Sequence, residues 1–293
     1  MSAILLAFGA MVAWGLGDFF IQRTVRKIGN LEAMVWVGAI CSLMLFPFAL
    51  KDIHLLWEGE NFSFLLLAGL LVFGMSYLAF KGYETGKLSV LEVVSVIELP
   101  ISIGLGILFF KERPDRAQAV LMAVILGGIL LIIKREAGWL DKIKKIFNKQ
   151  NLLEKGIFFA AAGGVFSALV NFMIAFNSRE AAPVLAVWFP WTLFCLFSFG
   201  YLYFKRNLKV FWSASKGAKG EILAAGTIDA LAWTFFAMAL TRKELSITAA
   251  IIASYPAVAM FLGVRFNREK IAFYQYAGGI ITLAASIIIG LIT

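Results

Sequence analysis

The chain has 293 residues, 61% of them hydrophobic and 15% charged, with a net charge of +9 and a mean hydropathy of +0.86. A water-soluble domain is about half apolar and a quarter charged, so a soluble fold is excluded and lipid is the expected solvent. A nucleic-acid partner is not expected either, because the 27 Lys and Arg lie in short connections between apolar runs and not on one folded face.

Crossing roughly 30 Å of hydrocarbon as a helix takes about 20 apolar residues. Such runs fall at 3–22, 31–50, 63–80, 88–110, 117–133, 156–177, 182–204, 221–240, 245–264 and 271–291. They are about twice as long as the alternating segments of a transmembrane barrel. The expectation is an all-α membrane protein of ten transmembrane helices. No basic segment precedes the first run, which is read as a retained helix and not as a signal peptide.

The longest polar connection, 135–155, divides the chain into 1–134 and 156–293, with five runs each. Within it Trp139, Leu140, Ile143, Ile146 and Phe147 recur at helical spacing, while Lys142, Lys144, Lys145 and Lys149 cluster elsewhere. That pattern fits a basic amphipathic helix lying on an anionic membrane surface.

The two parts match each other at a constant offset of 157, which pairs Leu88 and Ser89 with Leu245 and Ser246, Glu112 with Glu269, and Gln118 with Gln275. Trp36 and Trp188 recur at an offset of 152. A duplicated unit with an odd number of spans enters the membrane from the opposite face the second time, giving an inverted-topology repeat. Even-numbered connections and both termini then share one side. The odd connections carry 20 of the 27 Lys and Arg, which places them, including 135–155, in the cytoplasm and both termini outside.

The repeated run after the fourth helix, FFKERPDRAQ from Phe109 and RFNREKIAFYQ from Arg265, resembles the Glu-containing boundary of the EamA repeat in the drug/metabolite transporter superfamily. Pro100 and Pro256 stand 12 and 13 residues before those glutamates, and Ala13, Trp14 and Gly15 suit that repeat's first helix. The resemblance covers both parts of the chain. It implies a ten-helix carrier of a prokaryotic-type cell membrane, often an exporter of amino acids or other small metabolites, with a central cavity between the halves. Related carriers usually have cytoplasmic termini, and the charge count departs from that pattern.

Charge inside the bilayer is the strongest functional signal, since an acid at mid-span costs about 2.5–3.5 kcal/mol on insertion scales. Glu98 and Asp229 lie near their span centres, and Asp18 and Glu92 lie about 8–10 Å from theirs at 1.5 Å per residue. Each is a candidate for binding a proton or a cationic group, against the plainer possibility of pairing with Lys81 or with hydroxyls. On one continuous fourth helix, Ser89, Glu92, Ser95, Glu98 and Ser102 would share about half the circumference. Asn171 is a further polar candidate. Trp14, Trp233, Tyr77 and Tyr255 could stack on a cationic or aromatic solute, although most aromatic residues in such a chain pack or meet lipid. Pro100, Pro190 and Pro256, inside spans, would free the carbonyls of Val96, Ala186 and Ile252 and are hinge candidates. Gly127, Gly128, Gly278 and Gly279 read as close-packing positions.

No metal or cofactor is expected. Cys41 and Cys195 sit within apolar runs, His54 stands alone, and the sequence has no Walker A, HExxH or GxSxG motif. The reading is therefore a non-enzymatic secondary transporter, a monomer or homodimer in the lipid bilayer, moving a small cationic or zwitterionic metabolite by alternating access, driven by a proton gradient or by the substrate gradient itself. A non-transporting receptor or scaffold, or an intramembrane lipid-modifying enzyme, are the rivals.

Overall fold

The computed structural model describes residues 2–86, 88–133, 152–205, 208–266 and 272–292. Among these the regular elements are all helical. They are α1 (Ala3–Ile28), α2 (Asn30–Ala49), a 3-10 helix (Leu50–Trp57), α3 (Asn61–Thr85), α4 (Leu88–Ser95), α5 (Glu98–Phe110) and α6 (Arg116–Ile133). After the basic connection come α7 (Leu152–Glu180), α8 (Pro183–Lys205), α9 (Leu208–Lys216), α10 (Lys219–Leu240), α11 (Leu245–Ile252), α12 (Tyr255–Phe266) and α13 (Phe273–Ile292). Of the amphipathic helix expected over 135–155, residues 135–151 lie outside the described residues, and residues 152–155 belong to the start of α7.

Among the described residues, eight stretches are long and apolar enough to span a bilayer: α1, α2 with the 3-10 helix, α3, α7, α8, α10, α11 with α12, and α13. α5 and α6 are apolar but shorter. Two polar connections between the apolar runs fold as short helices, the 3-10 helix and α9. Phe211 of α9 stacks on Trp36 with centroids 5.4 Å apart, and Trp36 Nε1 donates to Ser215 Oγ at 2.7 Å.

The expected fourth and ninth helices are each broken. A turn at Val96 and Ile97 separates α4 from α5, and a turn at Ala253 and Ser254 separates α11 from α12. The two turns are 157 residues apart, the offset of the sequence repeat. A proline cannot donate to the carbonyl four residues before it and its ring crowds that carbonyl. Four residues before Pro100 and Pro256 are Val96 and Ile252, where the helices stop. The prolines thus occupy the first turns of α5 and α12, where a missing N–H costs nothing. The expectation of a free Val96 carbonyl is corrected, for it accepts from Leu99 N at 2.9 Å. Pro190 differs in lying inside the unbroken α8.

Residues repeated at the offset of 157 turn out to hold helix ends. Asp115 N donates to Gln118 Oε1 and Gln118 N to Asp115 Oδ1, both at 2.8 Å, a capping box at the start of α6. Ala272 N donates to Gln275 Oε1 at 2.8 Å in the equivalent place before α13. Glu112 accepts from Leu245 N at 2.6 Å and Ser246 N at 2.8 Å, satisfying the first amides of α11. Its counterpart Glu269 lies outside the described residues.

The most extensive helix pairs, α1 with α10, α3 with α7, α6 with α13 and α2 with α8, all join the part before the basic connection to the part after it. The two parts therefore share one core. Close approach is needed where α7 crosses the first helix break, since a Cβ on Gly164 would stand 2.5 Å from the Ser95 carbonyl oxygen. Among the expected packing glycines, Gly128 meets the Gly278 carbonyl of α13 and Gly279 meets Met260, whereas Gly127 faces open space.

Candidate functional site

The helix breaks aim the acids. On a straight helix Glu92 and Glu98, six residues apart, would diverge by about 120° at 100° per residue. The turn at Val96 and Ile97 re-aims the second segment, and both side chains reach one cavity with Ser95 between them. This corrects the expectation of a single helical face. Ser102, a turn further along α5, is fully buried and accepts from Asn171 Nδ2 at 3.4 Å.

The cavity holds about 90 Å³ and is bounded by α1, α2, α3, α4, α5, α7, α8, α10, α11 and α12. α1 presents Trp14 and Asp18, four residues apart and so on one face. α10 presents Asp229 and Trp233 in the same spacing, and α7 presents Ser167 and Asn171. The second break brings in Ile252 and Tyr255. Eight of the nine binding candidates, Glu98, Asp229, Asp18, Glu92, Asn171, Trp14, Trp233 and Tyr255, thus meet in one place. Tyr77 does not line the cavity. It is half-buried and packs against Phe73 and Tyr201 with centroids 6.4 and 6.2 Å away. Of the hinge candidates, Pro100 is exposed while Pro190 and Pro256 are buried.

Each acid has its own surroundings. Ser167 Oγ donates to Glu98 Oε2, with the Asn171 side chain alongside. Trp191 Nε1 donates to Asp229 Oδ2 at 3.0 Å, and Trp233 lies on the other flank. Glu92 is 1% exposed, with the Tyr83 hydroxyl from α3 and the Tyr255 hydroxyl from α12 beside it, yet its Oε1 has no hydrogen-bond partner. Asp18 is half-buried and also adjoins Tyr83. Lys81 is not the counter-ion of any of them, for it pairs with Glu84 at 3.0 Å. Part of the wall, beside Asp229, is aromatic, with Trp233 centred 4.7 Å from Trp14 and 4.8 Å from Trp191.

Sequence reasoning missed Trp191, Tyr83 and Ser167. Ser167 was reachable, standing one helical turn before Asn171. Trp191 was indistinguishable from the other indoles without knowing which face of α8 is buried. Tyr83 lay outside the expected third span because α3 runs on to Thr85. Among the described residues no group of His, Cys, Asp and Glu has the arrangement of a metal site.

Comparison with known proteins accords with this geometry. The EamA-like transporter family matches twice, at residues 1–134 and 154–291. The chain belongs to the EamA-like transporter family, within the drug/metabolite transporter superfamily, and is an integral multi-pass membrane protein. An uncharacterized protein of Methanocaldococcus jannaschii is 28% identical over 134 residues, which are 45% of this chain and 96% of that one. That relative is thus about the size of one of the two family matches. A solved crystal structure of another protein shares the fold, with a TM-score of 0.73 at 13% identity over 99% of this chain and 96% of that chain.

Proposed function

We propose that the protein is a secondary transporter, an exporter of a small cationic or zwitterionic metabolite, working by alternating access between two five-helix halves of inverted topology, with a proton as the coupling ion. The observation that carries this reading is the buried cavity at the junction of the two parts, with Asp18, Glu92 and Glu98 contributed by the first and Asp229 by the second. Nothing in the packing of a membrane scaffold requires four carboxyls around one space, and their cost in a bilayer argues for use.

Two observations support the inverted repeat. Counting α4 with α5 as one broken span and α6 as another brings the eight long stretches to ten. Arg26 also donates from Nε to the Tyr83 carbonyl at 3.3 Å and from a terminal nitrogen to the Gly86 carbonyl at 2.6 Å. Arg179 repeats the pattern on the Leu240 carbonyl at 3.1 Å and the Lys243 carbonyl at 3.2 Å, acceptors displaced by the same 157 residues. The Arg26 cluster ties the C-terminal ends of α1 and α3, and the Arg179 cluster those of α7 and α10. In an inverted repeat these clusters lie at opposite membrane faces.

Drug-sized pockets usually measure about 300–1,000 Å³, and 90 Å³ holds a few waters, so loading a metabolite requires the walls to part. Broken helices beside the site supply bending points for that motion. A cysteine replacing Ser76, on the cavity wall, tests the reading. In oriented proteoliposomes an impermeant maleimide should label it from each face, and transported solute should slow both reactions. Labelling from one face alone under all conditions would contradict alternating access.

A further inference from the structure

The charge balance of the cavity narrows its cargo. Its described lining carries the carboxyls of Asp18, Glu92, Glu98 and Asp229 and no Lys, Arg or His. Whatever the protonation of those four, their summed charge is zero or negative, never positive. An ammonium group finds a partner as soon as one acid is ionised, whereas a substrate carboxylate finds no counter-charge in any protonation state. Two basic groups on the lining helices are engaged elsewhere, Arg26 on backbone carbonyls and Lys81 on Glu84.

Two independent features mark the cavity as built for a ligand. Glu92 is almost wholly buried and lines the space, and one of its oxygens has no partner in the protein. A buried acceptor left unpaired carries a desolvation cost that an incoming donor removes. The indoles of Trp14, Trp191 and Trp233 also line the cavity beside Asp229, where aromatic faces attract a desolvated cation and accept its apolar substituents.

We infer that the substrate is an organic cation without a carboxylate, an amine or quaternary ammonium with an apolar or aromatic body, whose nitrogen is held by the cavity carboxylates against the Trp14, Trp191 and Trp233 indoles. The same charge balance disfavours zwitterionic amino acids. This rests on the cavity being the transporter's substrate site, and it turns the broad class of cationic or zwitterionic solutes into a choice between the two.

The test uses the full-length protein in nanodiscs and three probes with one body, 2-phenylethylamine, phenylalanine and 2-phenylethanol, titrated against tryptophan fluorescence at pH 7. The amine should bind at least ~10-fold more tightly than the amino acid or the alcohol. Asp229→Asn and Glu92→Gln should each weaken the amine by about 10-fold and the alcohol by clearly less, with unchanged thermal unfolding showing that the variants remain folded. Phenylalanine binding as tightly as the amine, no binding of any probe, or amine binding indifferent to both substitutions would overturn the inference. Flux of the same probes in proteoliposomes separates it from the transport reading. Amine that binds but is not moved keeps the cavity as a cation-binding site and sinks the transporter. Phenylalanine moved in preference to the amine does the reverse.

Discussion

Replacing Glu112 by Ala removes a carboxylate that joins the two parts of the chain. α5 ends at Phe110, and Lys111 then adopts a left-handed conformation, φ 56° and ψ 32°, that folds Glu112 back beside its own helix. A non-glycine residue there costs about 1–2 kcal/mol, so something must repay the turn. The side chain lies against Gly106, where a Cβ would stand 3.1 Å from its Cδ, and accepts the first two amides of α11 at 2.6 and 2.8 Å. Arg179 adds a longer contact of 3.7 Å. Hydrogen bonds to a charged group contribute about 1.5–3 kcal/mol each, so Glu112→Ala should destabilise the protein by about 3 kcal/mol or more. Glu112→Gln keeps one carbonyl acceptor and should lose about half of that. Reversible unfolding in mixed micelles gives the free energy, and amide hydrogen exchange at Leu245 and Ser246 localises it. A loss below about 0.5 kcal/mol with those amides still protected would refute the argument.

Gly164→Ala should destabilise by about 1–3 kcal/mol, because the new methyl would press on backbone at the first helix break, 2.5 Å from the Ser95 oxygen; a neutral effect on thermal unfolding would show that α7 can move away freely. Trp191→Phe keeps an aromatic ring but removes the donor to Asp229 Oδ2, and it should weaken cation binding severalfold and 2-phenylethanol binding by clearly less; equal losses for both would point to a packing defect instead. For orientation, the 20 basic residues in the odd connections predict that a cysteine at Lys144 resists an impermeant maleimide in intact cells. Ready labelling there would place that connection outside.

Much of this organisation was legible in the sequence because hydrophobic length is a strong signal. The apolar runs mark the helices, and Asp18, Glu92, Glu98 and Asp229, the acids set back from the run ends, all reach the cavity. The constant offset of 157 was also visible, but its meaning was not. Gln118 and Gln275 close helix starts, and Glu112 holds the start of α11, so the most recognisable repeated residues serve the scaffold and do not line the cavity. The helix breaks were legible through Pro100 and Pro256 as bends, but not as the reason that Glu92 and Glu98 share a cavity, since that depends on how far a turn rotates the second segment. Tyr77 was a reasonable candidate by depth alone. Its ring packs against Phe73 and Tyr201, because depth fixes position along a helix and says nothing about azimuth. The choice among eight Trp failed for the same reason at Trp191, which is 1% exposed on a helix that is apolar on every side.

The central claim is that the cavity acids carry transport, and the most direct measurement is flux of a labelled organic amine in proteoliposomes for the wild type, Glu98→Gln and Asp229→Asn. Each substitution keeps the side-chain shape and removes a titrating charge. With a proton as the coupling ion, the wild type should concentrate the amine against its gradient when a pH gradient is imposed. At least one neutral variant should lose that concentrative step, while exchange of amine for amine can persist because it needs no net proton movement. If both variants concentrate the amine at wild-type rates with wild-type pH dependence, the carboxylates are structural and the account is wrong.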